Sequence, residues 1–219
     1  MTPPLEPPFA ARPFGRSLSL QSPPLVPELR LWLLAEEVDL EIECAPFDDD
    51  HSPPYWAFCW GGGQALARWL LDHPELARDR FVVDLGTGSG VAAIAAARAG
   101  ARRVVAVDVD PTALEVAAAN ARENGASIET STTAPDACDL LMASDVLYEE
   151  GARSRVLGEE RARFGVLVAE PARPGLAPPP FDPVHTFDVR TFPDVDSPTC
   201  AASVYRFGAC EGRGRGAQT

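Results

Sequence analysis

The sequence of 219 residues contains no lysine, and all 19 of its basic residues are arginines. This absence excludes a Tyr-x-x-x-Lys pair, and with it one proton relay used by nicotinamide-dependent oxidoreductases. The chain has 32 acidic residues, so its net charge is −13. Such a surface repels a phosphate backbone and attracts a basic partner. We therefore expect no nucleic-acid partner.

Metal-site and disulfide patterns are also missing. The five cysteines are odd in number and form no C-x-x-C pair, and the three histidines lie far apart in the sequence. We therefore expect no metal site and no disulfide framework. No signal-peptide pattern is present, and no apolar run approaches the roughly 18 residues of a membrane span. The sequence predicts a cytoplasmic protein with no membrane association.

Composition divides the chain into three parts. Prolines crowd residues 1–26 and leave few backbone donors for a helix or a sheet, so we expect this segment to be disordered. Residues 27–208 are predicted to form one α/β domain, and the polar residues 209–219 a flexible tail. Near the start of the domain, the pattern predicts a short helix over Leu29–Val38 and an edge strand over Asp39–Cys44.

The most informative stretch is Phe81-Val-Val-Asp-Leu-Gly-Thr-Gly-Ser-Gly90. Its apolar residues predict a strand buried on both faces, its glycines permit a tight turn, and an alanine-rich helix follows. A second apolar strand then ends at Asp108, close to the roughly 20-residue offset at which an acidic side chain accepts hydrogen bonds from ribose hydroxyls. The pattern predicts a site for a cofactor that carries a nucleoside.

The spacing of the glycines indicates which nucleoside. A dinucleotide loop has the pattern G-x-G-x-x-G, whereas this loop is G-x-G-x-G and follows an acidic residue, Asp84. A positively charged amino group therefore suits the loop better than a phosphate does. S-adenosylmethionine carries an amino group, a ribose diol and no phosphate. The predicted cofactor-binding residues are Trp60, Asp84, Gly86, Gly88, Gly90, Asp108 and Val109.

Strands and helices alternate from Phe81 to Ala169, which predicts a parallel sheet with right-handed crossovers. Two further strands, His185–Arg190 and Ala201–Phe207, have no helix between them and should pair antiparallel at the sheet edge. The predicted fold class is α/β. It is a Rossmann-like, doubly wound, mostly parallel seven-stranded sheet with an antiparallel edge strand and helices on both faces.

Several motifs carry a resemblance to a known family. Val83–Gly90 together with Asp108–Pro111 resembles the fingerprint of class I S-adenosylmethionine-dependent methyltransferases. Asp145-Val-Leu-Tyr148 resembles the D-x-x-Y motif of seven-strand protein-lysine methyltransferases. Pro54–Leu71 and Glu170-Pro-Ala-Arg-Pro174 are similar to segments of the electron transfer flavoprotein beta subunit lysine methyltransferase family, although that family has Asp-Pro-Gly-Arg-Pro at the second.

The resemblance implies methyl transfer to a lysine amine of a partner protein, with Asp145 and Tyr148 as catalytic residues. We expect Asp145 to capture and align the ammonium group, and Tyr148 to supply an aromatic wall. Asp145 could instead cap the helix that follows it, and Tyr148 could be ordinary packing. Arg173 could be a surface residue or a contact of the acceptor.

Other functions stay open at the level of the sequence. The acceptor could be the electron transfer flavoprotein beta subunit, a ribosomal protein or a small amine. Ribosomal-protein methyltransferases usually have Asn-Pro-Pro-Tyr after the fourth strand, and Ser144–Tyr148 departs from that motif. A non-catalytic binding protein is a further alternative, and the intact glycine loop argues against it.

Overall fold

A computed structural model describes residues 17–35, 54–148, 150–157, 162–194 and 199–208. The predicted edge strand at 39–44 and the predicted tail at 209–219 lie outside these residues.

Strands and helices alternate through the middle of the chain, as the sequence predicts. In chain order the elements are β1 (Leu18–Gln21), β2 (Leu31–Leu34), α1 (Gly61–Asp72), β3 (Phe81–Leu85), α2 (Val91–Arg98), β4 (Arg103–Val107), α3 (Pro111–Glu123), β5 (Glu129–Ser131), β6 (Cys138–Ser144), α4 (Glu150–Leu157), β7 (Ala162–Pro171), β8 (Pro183–Val189) and β9 (Cys200–Phe207). Short 3-10 turns at Tyr55–Ala57 and Pro74–Leu76 flank α1.

Within the described residues, the main sheet has seven strands in the order β5-β4-β3-β6-β7-β9-β8. Strands β3 to β7 pair in parallel, and β9 pairs antiparallel with both β7 and β8. The predicted fold class is confirmed, with the antiparallel strand one position inside the edge. The strand order reverses between β3 and β6, and the carboxyl ends of neighbouring parallel strands form a crevice at such a point. Apart from Trp60, which precedes α1, the predicted site residues lie at or just beyond these ends.

The central strands of the sheet are buried on both faces, as expected for parallel strands covered by helices. Successive residues of β6 show this directly. Leu140 and Met142 pack in a cluster with residues of α1 and α2, whereas Leu141 and Ala143 pack in a second cluster on the opposite face. Leu147, just beyond β6, is buried in that second cluster. The loop that follows β6 is therefore anchored to the core.

The N-terminal part of the described chain differs from the sequence prediction. The predicted helix over Leu29–Val38 is wrong, because Leu31–Leu34 forms β2, which pairs antiparallel with β1. The expectation of disorder is also wrong for residues 17–26. Prolines 23 and 24 lie between the two strands, where no ladder hydrogen bond is lost.

Both faces of β2 are buried, which explains why its sequence could not be distinguished from a helix. Leu31 and Leu33 contact the cluster around α1 and α2, and Trp32 and Leu34 pack in a third cluster with residues of α3. A strand that is apolar on both faces shows no alternation of apolar and polar residues.

Asn120 on α3 connects the β1–β2 hairpin to the glycine loop. Its side chain is fully buried. The backbone N–H of Trp32 donates to Asn120 Oδ1 at 2.6 Å, and Asn120 Nδ2 donates to the backbone oxygen of Ser89 at 2.8 Å. One turn further on, Asn124 makes the same kind of pair with the N–H and C=O of Arg30 at the surface.

Replacement of Asn120 by alanine should lower the free energy of unfolding by about 2–4 kcal/mol, since two buried backbone groups lose their partners. Asn124→Ala is the matched control and should have an effect of about 1 kcal/mol or less, because water can reach the released groups. Urea denaturation of both variants measures the difference. Equal effects would contradict the anchoring role of Asn120.

Candidate active site

The glycine loop between β3 and α2 contains two glycines that no other residue could replace without a clash. Gly86 and Gly90 have φ values of 70° and 83°. A Cβ atom would lie 2.6 Å from Val146 Cγ1 at the first and 2.9 Å from Ala117 Cβ at the second. Gly88 differs, because its φ is 50° and a Cβ atom there would meet nothing within 4 Å. The middle of the loop therefore faces open space.

Two carboxylates lie at the base of this loop. Asp84 is buried and accepts a hydrogen bond from Thr87 Oγ1 at 2.7 Å. Burial raises its pKa to about 7, and the nearby charge of Asp108 contributes. Asp108 accepts hydrogen bonds from the backbone N–H groups of Gly88 at 2.9 Å and Asp110 at 3.0 Å, and burial raises its pKa as well. Asp108 thus ties the loop after β3 to the loop after β4.

Two of the predicted cofactor residues, Val109 and Trp60, are apolar. Val109 follows Asp108 and is 90% exposed, which is unusual for a large apolar side chain at the end of a buried strand. Trp60 precedes α1, and its Nε1 donates to the backbone oxygen of Tyr55 at 2.8 Å. A Cβ atom on Gly63 would lie 3.0 Å from Val91 Cγ1, so the start of α1 packs against the start of α2.

Asp145 lies where α1, β6 and the loop after β7 meet. Its φ is +56°, in the left-handed region that a non-glycine residue adopts rarely. Oδ2 accepts a hydrogen bond from the N–H of Gly63 at 2.9 Å, and a Cβ atom on Gly62 would lie 2.5 Å from the same oxygen. Asp145 therefore binds the N-terminus of α1. This contact was not predicted from the sequence, where the position of Asp145 suggested the helix that follows it, α4.

The second oxygen of Asp145 forms an ion pair with Arg173. The distance from Nη2 to Oδ1 is 3.1 Å, and the Asp145 side chain is only 10% exposed. Burial raises the pKa of Asp145 to about 6, against the lowering effect of the Arg173 charge. The Arg173 guanidinium also lies 5.1 Å from the centre of the Tyr148 ring. Arg173 thus contacts both predicted catalytic residues.

Glu170 holds the Asp145–Tyr148 turn in place. Its Oε1 accepts hydrogen bonds from the backbone N–H groups of Val146 and Leu147, both at 2.9 Å. Its Oε2 is buried and has no hydrogen-bond partner among the described residues. Burial raises the pKa of Glu170 to about 7, and the charge of Asp145 adds to this rise. The sequence predicted only that Glu170 lies at the end of a strand. It did not predict that Glu170 holds the backbone of the Asp145–Tyr148 turn.

A cavity of about 170 Å³ lies beside this turn. Its wall includes Glu170, Arg173, Leu147, Ser203 and Tyr205. The cavity is therefore formed by the end of β7, the loop that follows it and the antiparallel strand β9.

Among the described residues, no group of three or more His, Cys, Asp or Glu side chains could hold a metal ion. No helix in the same part of the chain has both the length and the apolar character needed to cross a membrane.

The fold is that of the S-adenosylmethionine-dependent methyltransferases. Magnesium protoporphyrin IX methyltransferase from Synechocystis PCC 6803, solved with bound S-adenosylmethionine, superposes with a TM-score of 0.51 at 17% identity, over 67% of this chain and 78% of that one. A Pyrococcus horikoshii protein, provisionally named an RNA methyltransferase, superposes with a TM-score of 0.55 at 18% identity, over 78% of this chain and 96% of that one.

Sequence comparison confirms the resemblance inferred from the motifs. The chain is 41% identical over 135 residues to the electron transfer flavoprotein beta subunit lysine methyltransferase of Rattus norvegicus, covering 58% of this chain and 51% of that protein. The chain therefore spans about half the length of this relative. Residues 66–148 match the family model of the ribosomal protein L11 methyltransferase, PrmA. The L11 methyltransferase of Pelotomaculum thermopropionicum is 67% identical over 94 residues, which are 42% of this chain and 27% of that protein.

The buried carboxyl groups make stability depend on pH. Asp84, Asp145 and Glu170 all have pKa values raised above their ordinary range. Each group makes its full contribution to the stability of the folded state at pH values below its pKa in the unfolded chain. This contribution is lost as the pH rises through its pKa in the folded state, which is about 6 for Asp145 and about 7 for Asp84 and Glu170. The free energy of unfolding should therefore decrease between pH 5 and pH 8.

In Glu170→Gln, the free energy of unfolding should fall by about 2 kcal/mol less between pH 5 and pH 8 than it does in the wild type. The amide oxygen can still accept hydrogen bonds from the N–H groups of Val146 and Leu147, but the side chain no longer ionises. Chemical denaturation of the wild type and the variant at pH 5 and pH 8 measures the effect. Parallel pH profiles would contradict a raised pKa of Glu170.

Proposed function

We propose that the chain is an S-adenosylmethionine-dependent protein-lysine N-methyltransferase. One observation carries the proposal. The open face of Gly88, whose backbone N–H donates to Asp108, lies at the same edge of the sheet as Asp145 and Tyr148. A cofactor site and an acceptor site are therefore adjacent at the point where the strand order reverses.

The residues present fit the cofactor. The middle of the loop leaves room for a ligand to approach the backbone, and the carboxylate of Asp108 lies at the end of β4, where ribose hydroxyls are bound in related folds. Asp84 places a carboxyl oxygen under the loop, and an oxygen acceptor there suits an ammonium group better than a phosphate. Val109 offers an exposed apolar surface for a flat ring, and Trp60 directly precedes α1, whose first turn packs against the start of α2.

S-adenosylmethionine, when bound, supplies an activated methyl group on a sulfonium. The lysine nitrogen must lose a proton before it can attack, since its ordinary pKa is about 10.4. With the cofactor bound, the nitrogen lone pair would form the new C–N bond while the C–S bond broke, and the electron pair of the C–S bond would stay on sulfur. Positioning the two partners can provide roughly 7–11 kcal/mol of the required stabilisation. Asp145 and Tyr148 perform this positioning, and the proton leaves to water.

The acceptor class follows from charge and from the relatives. A net charge of −13 favours a basic protein surface around the target lysine. The electron transfer flavoprotein beta subunit is the first candidate acceptor, because that protein is named in the matched lysine methyltransferases. Ribosomal protein L11 is the second, because the L11 methyltransferase model matches the part of the chain that contains the cofactor loop.

Gly88→Ala should weaken the binding of S-adenosylmethionine by about tenfold or more, which corresponds to a loss of at least about 1.4 kcal/mol. The added methyl group would occupy the face that the ligand needs. Gly125→Ala is the matched control, because Gly125 has a similar φ of 60° and equally open surroundings, but lies beyond the end of α3. Isothermal titration calorimetry compares the two, and equal affinities would contradict the assigned cofactor site.

Methyl transfer itself is tested with purified acceptors. The enzyme is incubated with methyl-labelled S-adenosylmethionine and either the beta subunit or L11 from the same organism, and the modified residue is located by mass spectrometry. We expect the label on a lysine of the beta subunit. Because the enzyme contains no lysine, any labelled lysine belongs to the acceptor. Label on L11 alone would favour the second candidate, and no labelled lysine on either would contradict the proposal as stated.

A further inference from the structure

Arg173 makes the two contacts that a lysine ammonium would need in the acceptor site. Its guanidinium donates to Asp145 Oδ1 at 3.1 Å and lies 5.1 Å from the centre of the Tyr148 ring. A carboxylate oxygen and an aromatic ring are the groups with which a protein binds an alkylammonium ion. An internal cation therefore occupies the position expected for the substrate.

We infer that Arg173 is a substitute cation which fills the acceptor position between Asp145 and Tyr148, and which the substrate lysine displaces toward Glu170. This inference rests on the proposed function. It identifies a residue that sets the affinity of the same site for its amine.

The geometry of Asp145 leaves room for one cation only. Oδ2 is committed to the backbone N–H of Gly63 at 2.9 Å, so Oδ1 is the oxygen available to a charged partner. The Asp145 side chain is 10% exposed, so solvent screens this oxygen little. Two cations that share one buried oxygen repel each other. A lysine ammonium and the Arg173 guanidinium must therefore compete.

A second position for the guanidinium exists close by. Glu170 is buried, and no group in the described part of the chain donates a hydrogen bond to its Oε2, although its Oε1 accepts two hydrogen bonds. Glu170 and Arg173 line the same cavity of about 170 Å³, and the charge of Arg173 already lowers the pKa of Glu170. A guanidinium that left Asp145 could therefore reach the unpaired oxygen of Glu170 and satisfy it.

The exchange has a quantitative consequence for binding. When a site is available only part of the time, its apparent dissociation constant rises by the inverse of that fraction. If Arg173 fills the position about nine-tenths of the time, removing it should tighten amine binding by about tenfold. A residue that simply contacted the substrate would have the opposite effect when removed.

The test uses the full chain with S-adenosylhomocysteine present, and Nα-acetyl-lysine methylamide as the amine probe. We expect Arg173→Met to bind the probe about tenfold more tightly than the wild type does. Arg103→Met is the matched control, because Arg103 also pairs with a carboxylate, Glu129, and lies 4.5 Å from an aromatic ring, Phe81, but at the opposite ends of the strands. This control should bind the probe as the wild type does.

A second measurement follows Arg173 in the wild-type protein, and the variant serves only to assign its NMR signal. In protein labelled with 15N-arginine, the Nε–H signal that Arg173→Met removes should shift when the probe is added to the wild type. Equal or weaker binding by Arg173→Met, or an unmoved signal while the probe binds, would overturn the inference. If the wild type methylates lysine but neither the tighter binding nor the signal shift is observed, only the role of Arg173 is wrong. If neither the wild type nor Arg173→Met methylates lysine, the proposed function is wrong.

Discussion

The carboxylate of Asp145 is the interaction on which the acceptor end of the molecule depends. One of its oxygens binds the N-terminus of α1, the other pairs with Arg173 from the loop after β7, and its backbone continues directly from β6. A buried carboxylate is stabilised by the positive end of a helix and by an adjacent cation. Gly62, the middle one of three consecutive glycines at the start of α1, is explained by this contact, since a side chain there would collide with the carboxylate.

Asp108 plays a similar role beside the glycine loop, where one carboxylate again binds backbone N–H groups. Asp108 accepts hydrogen bonds from the backbone of the glycine loop and from the backbone before α3, so a single carboxylate fixes two loops. Together with Asp84, Asp145 and Glu170, it places four acidic side chains along the carboxyl ends of β3, β4, β6 and β7. An acidic region of this kind favours the binding of cations, which include the sulfonium of the proposed cofactor and the ammonium of the proposed substrate.

The sequence was sufficient to predict the central sheet, the glycine loop after β3 and the acidic residues at the carboxyl ends of the strands. Those features depend on local patterns, namely apolar strands, glycine spacing and acidic residues at strand ends. The β1–β2 hairpin could not be predicted, because β2 is apolar on both faces. The hydrogen bond between β2 and Asn120 also joins residues that are distant in the sequence. The ion pair between Asp145 and Arg173 and the hydrogen bonds of Glu170 are long-range contacts too. No spacing along the chain encodes them.

The most direct test of the account is a crystal structure of the chain with S-adenosylhomocysteine. The account predicts that the ribose contacts Asp108, that the amino acid end lies over the loop near Gly88, and that the sulfur is directed toward the space between Asp145 and Tyr148. Density for the nucleoside in any other part of the molecule, or a sulfur directed away from Tyr148, would contradict it.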